Sequence, residues 1–204
     1  MKTSNELLST TPIISGMVNS PQLEFILDIL EEQLSIGIGG DVVELGCNCG
    51  TTSIFIRKMM NLYDTEKVYH VYDSFEGLPK NSIHDTGGNE GECLTSKDVF
   101  LSNFNQFGLV APTVNHGWFS KIPDSCYPDE ICFAFFDGDF YSSILDSFSK
   151  TYHKLQPGAA VIIHDYGPGP LPGVEIACNE FLEDKPESVI QAMPGVGYFI
   201  KEEN

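Results

Sequence analysis

The sequence predicts an α/β fold: a mostly parallel sheet with helices on both faces and an antiparallel hairpin at one edge. Two observations predict it. Strand-like and helix-like patterns alternate along the chain from residue 41 to residue 184, the signature of repeated strand–helix–strand crossovers. The last two strand-like segments, SVIQAM (188–193) and VGYFIK (196–201), are separated only by Pro194 and Gly195. That is too short for a crossover helix, so this pair must run antiparallel.

The elements follow in order. Residues 20–34 carry an apolar stripe of Leu23, Ile26, Leu27, Leu30 and Leu34, with Ser20 as the expected N-cap and Pro21 at the first helical position. DVVEL (41–45) is a short buried strand, and residues 51–62 form a helix that starts near Thr51 or Thr52. KVYHVYD (67–73) is the second strand; residues 96–108 are a helix capped by Ser96 and ended by Gly108. PTVNHGWF (112–119) reads as a third strand and ICFAFFD (131–137) as a fourth. A helix over 142–158 stops at Pro157 and Gly158, AAVIIHD (159–165) is the fifth strand, and residues 173–184 are the last helix. Residues 1–40 form a helical segment packed on the core, and residues 41–204 a single domain.

The totals narrow the function. The chain has 204 residues, 42% of them apolar, which suits one domain with a real core. Its net charge of −18 repels phosphate backbones and anionic lipid, so neither nucleic acid nor a membrane is an expected partner. The N-terminal stretch MKTSNELLSTT lacks the apolar run of a signal peptide, and the expected location is the cytoplasm. The six cysteines form no disulfide framework; Cys47 and Cys49 are the one close pair, and no second pair completes a metal site around them. Unpaired sheet edges and apolar loop residues are compatible with a homodimer.

Open sheets of this class bind ligands beyond the carboxyl ends of their strands. The first strand ends in Glu44-Leu45-Gly46-Cys47-Asn48-Cys49-Gly50. Asn48 stands where a pyrophosphate-binding turn needs its middle glycine, so a ligand without phosphates fits better. S-adenosylmethionine is such a ligand, with Glu44 facing its ammonium group. Asp73, ending the second strand, can take ribose hydroxyls, although DSFE also reads as a capping box. Gly117 and Trp118 end the third strand, with the indole available to pack on adenine. Asn48, Gly50, Ser53, Ser74 and Asp137 complete the expected cofactor set.

The fourth and fifth strands bring Asp137, Asp139, His164 and Asp165 to one edge. Neighbouring strands lie roughly 5 Å apart, and carboxylates that close cannot all ionise without a cation. A divalent metal on Asp137, His164 and Asp165 answers this. The oxygens suit Mg²⁺, and His164 shifts the balance toward Mn²⁺, Fe²⁺ or Zn²⁺. Asp139 and His164 are the placed candidates for a general base, with His84 and His116 on nearby segments. Phe140, Tyr141 and Tyr166 can surround a sulfonium. The polar segment 79–96 is long for a connection and is expected to cover the cofactor and to order on binding.

The motifs DVVELGCNCG, VYDSFEGLP, NFNQFGL, GWFSKIPDS, FFDGDFYSS and HDYG occur in this order, from about Asp41 to Phe181. In them the chain resembles the macrocin O-methyltransferase family. That resemblance implies a Rossmann-like class I methyltransferase fold with a seven-stranded sheet. It implies S-adenosylmethionine-dependent transfer of a methyl group to a hydroxyl, often on a sugar of a natural product. It also implies a divalent metal held by Asp137 and Asp165, with His164 standing where the family has an aspartate, and cofactor contacts from Glu44, Gly46 and Asp73. Two rivals stand beside this reading: a cofactor-binding protein with altered catalysis, kept open by His164, and a nucleotide-dependent oxidoreductase, disfavoured by Asn48.

Overall fold

The computed structural model describes residues 3–63 and 65–203. Seven strands form one sheet in the order β3-β2-β1-β4-β5-β7-β6. They are β1 (Asp41–Leu45), β2 (Tyr69–Asp73), β3 (Thr113–His116), β4 (Ile131–Phe136), β5 (Leu155–Tyr166), β6 (Ile190–Met193) and β7 (Gly195–Ile200). β1 to β5 run parallel to one another; β7 runs antiparallel to both β5 and β6. The order reverses between β1 and β4, and a crevice opens there at the strand ends.

Each central strand is apolar on both sides, as burial under two helical layers demands. Along β4, Phe133 and Phe135 enter one core, while Ala134 and Phe136 enter the other. The first core is closed by α2 (Ser20–Ile36), α3 (Thr51–Leu62) and α4 (Lys97–Gln106). The second is closed by α5 (Tyr141–Thr151) and α6 (Pro172–Leu182). A short helix, α1 (Thr3–Thr10), was hidden by its polar sequence. It docks on α2 through Leu7 and a bond from Ser4 Oγ to Asp28 Oδ1 of 2.6 Å.

Several boundaries differ from the sequence reading. The cap of α2 is Asn19 instead of Ser20: its side chain accepts from Gln22 N, and Gln22 Oε1 accepts from Asn19 N, a reciprocal pair. α3 starts at Thr51 without a side-chain cap, from Gly50 in the left-handed conformation. α5 ends at Thr151, before Pro157 and Gly158, which lie inside β5. Strand pairing with β7 claims them: Gly158 N donates to Lys201 O, and Lys201 N to Ala159 O. Asp73 and Ser74 cap no helix, because none follows them before residue 97.

Candidate functional site

The ladder continues one residue beyond three strand ends. Gly46 N donates to Tyr72 O, Asp137 N to Leu45 O and Gly117 N to Asp73 O, each at 2.8 Å. These bonds set the turns after β1, β3 and β4 at one level. Beside them lies a cavity of about 520 Å³. Its wall includes Glu44, Gly46, Asn48, Asp73, Ser74, Trp118, Asp137, Asp139, His164 and Asp165. Gly50, Ser53 and Gly117 do not line it. Ser53 is fully buried beneath Glu44, Gly50 faces the ring of Phe100, and Gly117 acts through its backbone.

The turn after β1 is fixed by its neighbours. Gly46 has φ +92°, and a Cβ there would lie 2.0 Å from Asp137 O, so only glycine fits. Asp73 Oδ2 accepts from Cys47 N (2.9 Å) and Asn48 N (2.8 Å), and Oδ1 accepts from Phe75 N (2.7 Å). Its carboxylate therefore ties the first two turns together; Oδ1 keeps acceptor capacity for a ligand. Glu44 is buried and accepts from Ser53 Oγ at 2.6 Å and from the Tyr69 hydroxyl. Burial pushes its pKa up to about 8.

The metal candidates converge. One donor atom from each of Asp137, His164 and Asp165 lies within 4.8 Å of the others. His164 Nδ1 is 2.9 Å from Asp137 Oδ1 and 2.9 Å from Asp165 Oδ2. Burial lowers the pKa of His164, but the two carboxylates outweigh it and push it up to about 11. Consecutive strand residues normally face opposite sides of a sheet. His164 and Asp165 share a side because the β5–β7 register slips between His164 and Tyr166, with Asp165 at φ +57°. Asp139 sits beside them; burial, then Asp137 and Asp165, hold its pKa well above the usual carboxylate range.

Strain concentrates here. Five non-glycine residues among those described have positive φ, and four of them, Asn48, Cys93, Asp139 and Asp165, line the cavity. Such conformations persist only where their surroundings over-determine them, and they cluster at functional sites.

Other expected residues lie apart. His84 packs on the Tyr141 ring at 4.5 Å and His116 on Phe75 at 5.4 Å; neither lines the cavity. Phe140 is fully buried and Tyr166 nearly so, and with Tyr141 they stay out of the cavity wall. Their apolar surface is spent on packing. The sequence reading missed Ser15, Met17 and Val18, Cys93, and Asp146, all of which line the cavity. It also missed Asp85, which is buried in the 79–96 strap. Asp85 Oδ2 accepts from Ser82 N and Oγ, and Oδ1 accepts from Tyr141 N at 2.9 Å, capping α5 from outside it. No local pattern could have revealed contacts made across such separations.

A model of the macrocin-O-methyltransferase family matches residues 8–196. A mycinamicin III 3''-O-methyltransferase from Micromonospora griseorubida is 31% identical over 163 residues, covering 74% of this chain and 64% of that protein. An 8-demethyl-8-(2,3-dimethoxy-alpha-L-rhamnosyl)-tetracenomycin-C 4'-O-methyltransferase from Streptomyces olivaceus is 30% identical over 164 residues, covering 74% and 62%. The chain thus spans just under two thirds of the length of these relatives. Among solved structures, the O-methyltransferase NovP superposes with a TM-score of 0.79 at 24% identity, covering 91% of this chain and 81% of its own. The calicheamicin methyltransferase CalS11 superposes at 0.72 with 18% identity, covering 97% and 89%. These two likenesses establish the class I methyltransferase fold.

Proposed function

The chain belongs to the macrocin-O-methyltransferase family, and on that premise we propose that it is an S-adenosylmethionine-dependent O-methyltransferase assisted by a divalent metal. The observation that carries this reading is the meeting of Asp137, His164 and Asp165 at the wall of the cavity formed by the β1 turn and Asp73. The metal fits the donor set. Two carboxylates and an imidazole would suit a divalent ion, and one donor atom from each lies within 4.8 Å of the others. The cofactor fits the turn: Gly46 leaves the backbone bare, and no glycine follows where a pyrophosphate needs one.

When bound, the cofactor would supply a methyl group on a sulfonium, and a divalent ion would supply positive charge beside the acceptor hydroxyl. The residues do the rest. The turn at 46–50 and Asp73 hold the adenosyl group, and Trp118 offers a face for the base. Asp137, His164 and Asp165 are the residues that would hold the metal, and they place it beside the cofactor turn where an acceptor can be aligned with the methyl group; alignment of this kind supplies much of the rate. Asp139 takes the hydroxyl proton. Burial first, and then Asp137 and Asp165, raise its pKa, which makes its ionised form a stronger base.

The cavity wall carries seven acids against one lysine, Lys121; even with Glu44 and Asp139 protonated, Asp73, Glu92, Asp137, Asp146 and Asp165 remain. This favours a neutral or cationic acceptor over an anionic one. A neutral glycoside suits this field, and the name of the Streptomyces olivaceus relative carries a rhamnosyl acceptor. Mass spectrometry of incubations with neutral glycosides, cofactor and metal tests the proposal. A product heavier by one methylene supports it. Asp137→Ala is expected to lose turnover at least ~100-fold while cofactor affinity changes little; full activity in that variant contradicts the metal-assisted mechanism.

A further inference from the structure

The second ligand of the candidate metal site is an imidazole, and this has a chemical consequence. We propose that His164 makes the site selective for a first-row transition ion over Mg²⁺; the inference rests on the metal reading above and deepens it. Mg²⁺ is a hard ion that takes oxygen ligands, whereas Mn²⁺, Co²⁺, Ni²⁺ and Zn²⁺ accept imidazole nitrogen with affinity rising through the series. Once an ion has displaced its proton, His164 joins Asp137 and Asp165 in offering two negative charges and one nitrogen. An aspartate in place of His164 would offer three charges and oxygen alone. The substitution weakens the purely electrostatic attraction on which Mg²⁺ depends and adds the donor that a borderline ion prefers.

The geometry gives His164 no way to step aside. It is 6% exposed, its backbone pairs with Val196 of β7, and its ring meets Phe135 edge-on at 6.3 Å. Nε2 is enclosed and has no hydrogen-bond partner, so Nδ1 alone faces the polar site. Among the described residues, Asp137, His164 and Asp165 form the metal-sized group, and Asp139 is not part of it.

Metal-stripped wild-type protein is dialysed to equilibrium against Co²⁺ with rising Mg²⁺. Bound metal is measured by elemental mass spectrometry and the Co²⁺ ligand field by absorption. About a hundredfold excess of Mg²⁺ should leave most of the Co²⁺ in place. In His164→Asp, the ratio of Co²⁺ to Mg²⁺ affinity should fall about tenfold or more, with a shifted Co²⁺ spectrum. Displacement by Mg²⁺ at parity in wild type overturns the inference, as does an unchanged ratio in the variant. Either result leaves the metal reading standing, since an ion is still bound. Wild-type protein that retains neither ion overturns both. His164→Asn, which also removes the imidazole donor, serves for the same comparison should His164→Asp not fold.

Discussion

Gly46 shows how far a single residue can be read. Its place in a glycine-bearing turn was legible, because only a turn explains glycine after a buried strand. Its reason was not: the atom that excludes a side chain is Asp137 O, which belongs to the turn after β4, far along the chain. Gly46→Ala combines a left-handed backbone with a backbone clash, and is expected to destabilise the fold by more than about 3 kcal/mol. The check is a urea midpoint that falls while the slope stays constant. Glu44 was expected to meet the ligand's ammonium group, and it does line the cavity, but buried between Ser53 and Tyr69. The folded chain keeps a proton on Glu44 up to about pH 8, whereas the unfolded chain releases it near 4.5. Between those values the native state binds more protons, so this contribution to stability is full at low pH, falls as pH rises, and levels off beyond about 8. Glu44→Gln should remove that slope. Urea denaturation from about pH 5 to pH 9 should show a wild-type loss of a few kcal/mol that the variant lacks.

At the scale of elements, periodicity located the helices and strands because their apolar faces must meet the sheet. The fourth strand was read from a run of apolar residues, all six of which are buried, and the hairpin from a two-residue link. Periodicity carries no information on which distant group satisfies a helix end. The first N–H groups of α5 find no cap in their own sequence; Asp85 provides one from the strap. The strap also closes on itself, with Leu78 N donating to Glu92 O and Gly91 N to Leu78 O, and reaches the β1 turn through Asn48 Nδ2 and Cys93 O at 2.7 Å. Asp85→Ala removes the link to α5, and amides over 79–96 should then exchange with deuterium at least ~10-fold faster. Added S-adenosylmethionine should slow the same amides in wild-type protein, and equal rates with and without it would contradict the strap's role as a cover. The bulge at Asp165 was equally invisible: alternation along β5 predicts that His164 and Asp165 face apart, and one slipped register brings them together.

For the whole molecule, the order of the strands places the β1 and β4 turns side by side, and everything proposed for the site follows from that adjacency. Charge acts at the same scale. With a net charge of −18 and seven acids at the cavity, nucleotide-linked sugars should be turned over more slowly than the matching neutral glycosides, a gap that narrows at high salt. Steady-state rates on paired acceptors measure it. Among the described residues, no helix is long and apolar enough to cross a membrane.

The central claim is that one cleft holds both an adenosyl cofactor and a divalent ion. A crystal grown with S-adenosylhomocysteine and Mn²⁺, with data collected at the manganese edge, tests it most directly. The account predicts an anomalous peak bonded to Asp137, His164 and Asp165, with the ribose of the adenosyl group at Asp73. An adenosyl group seated elsewhere, or those three side chains still bonded only to one another at saturating Mn²⁺, would contradict it.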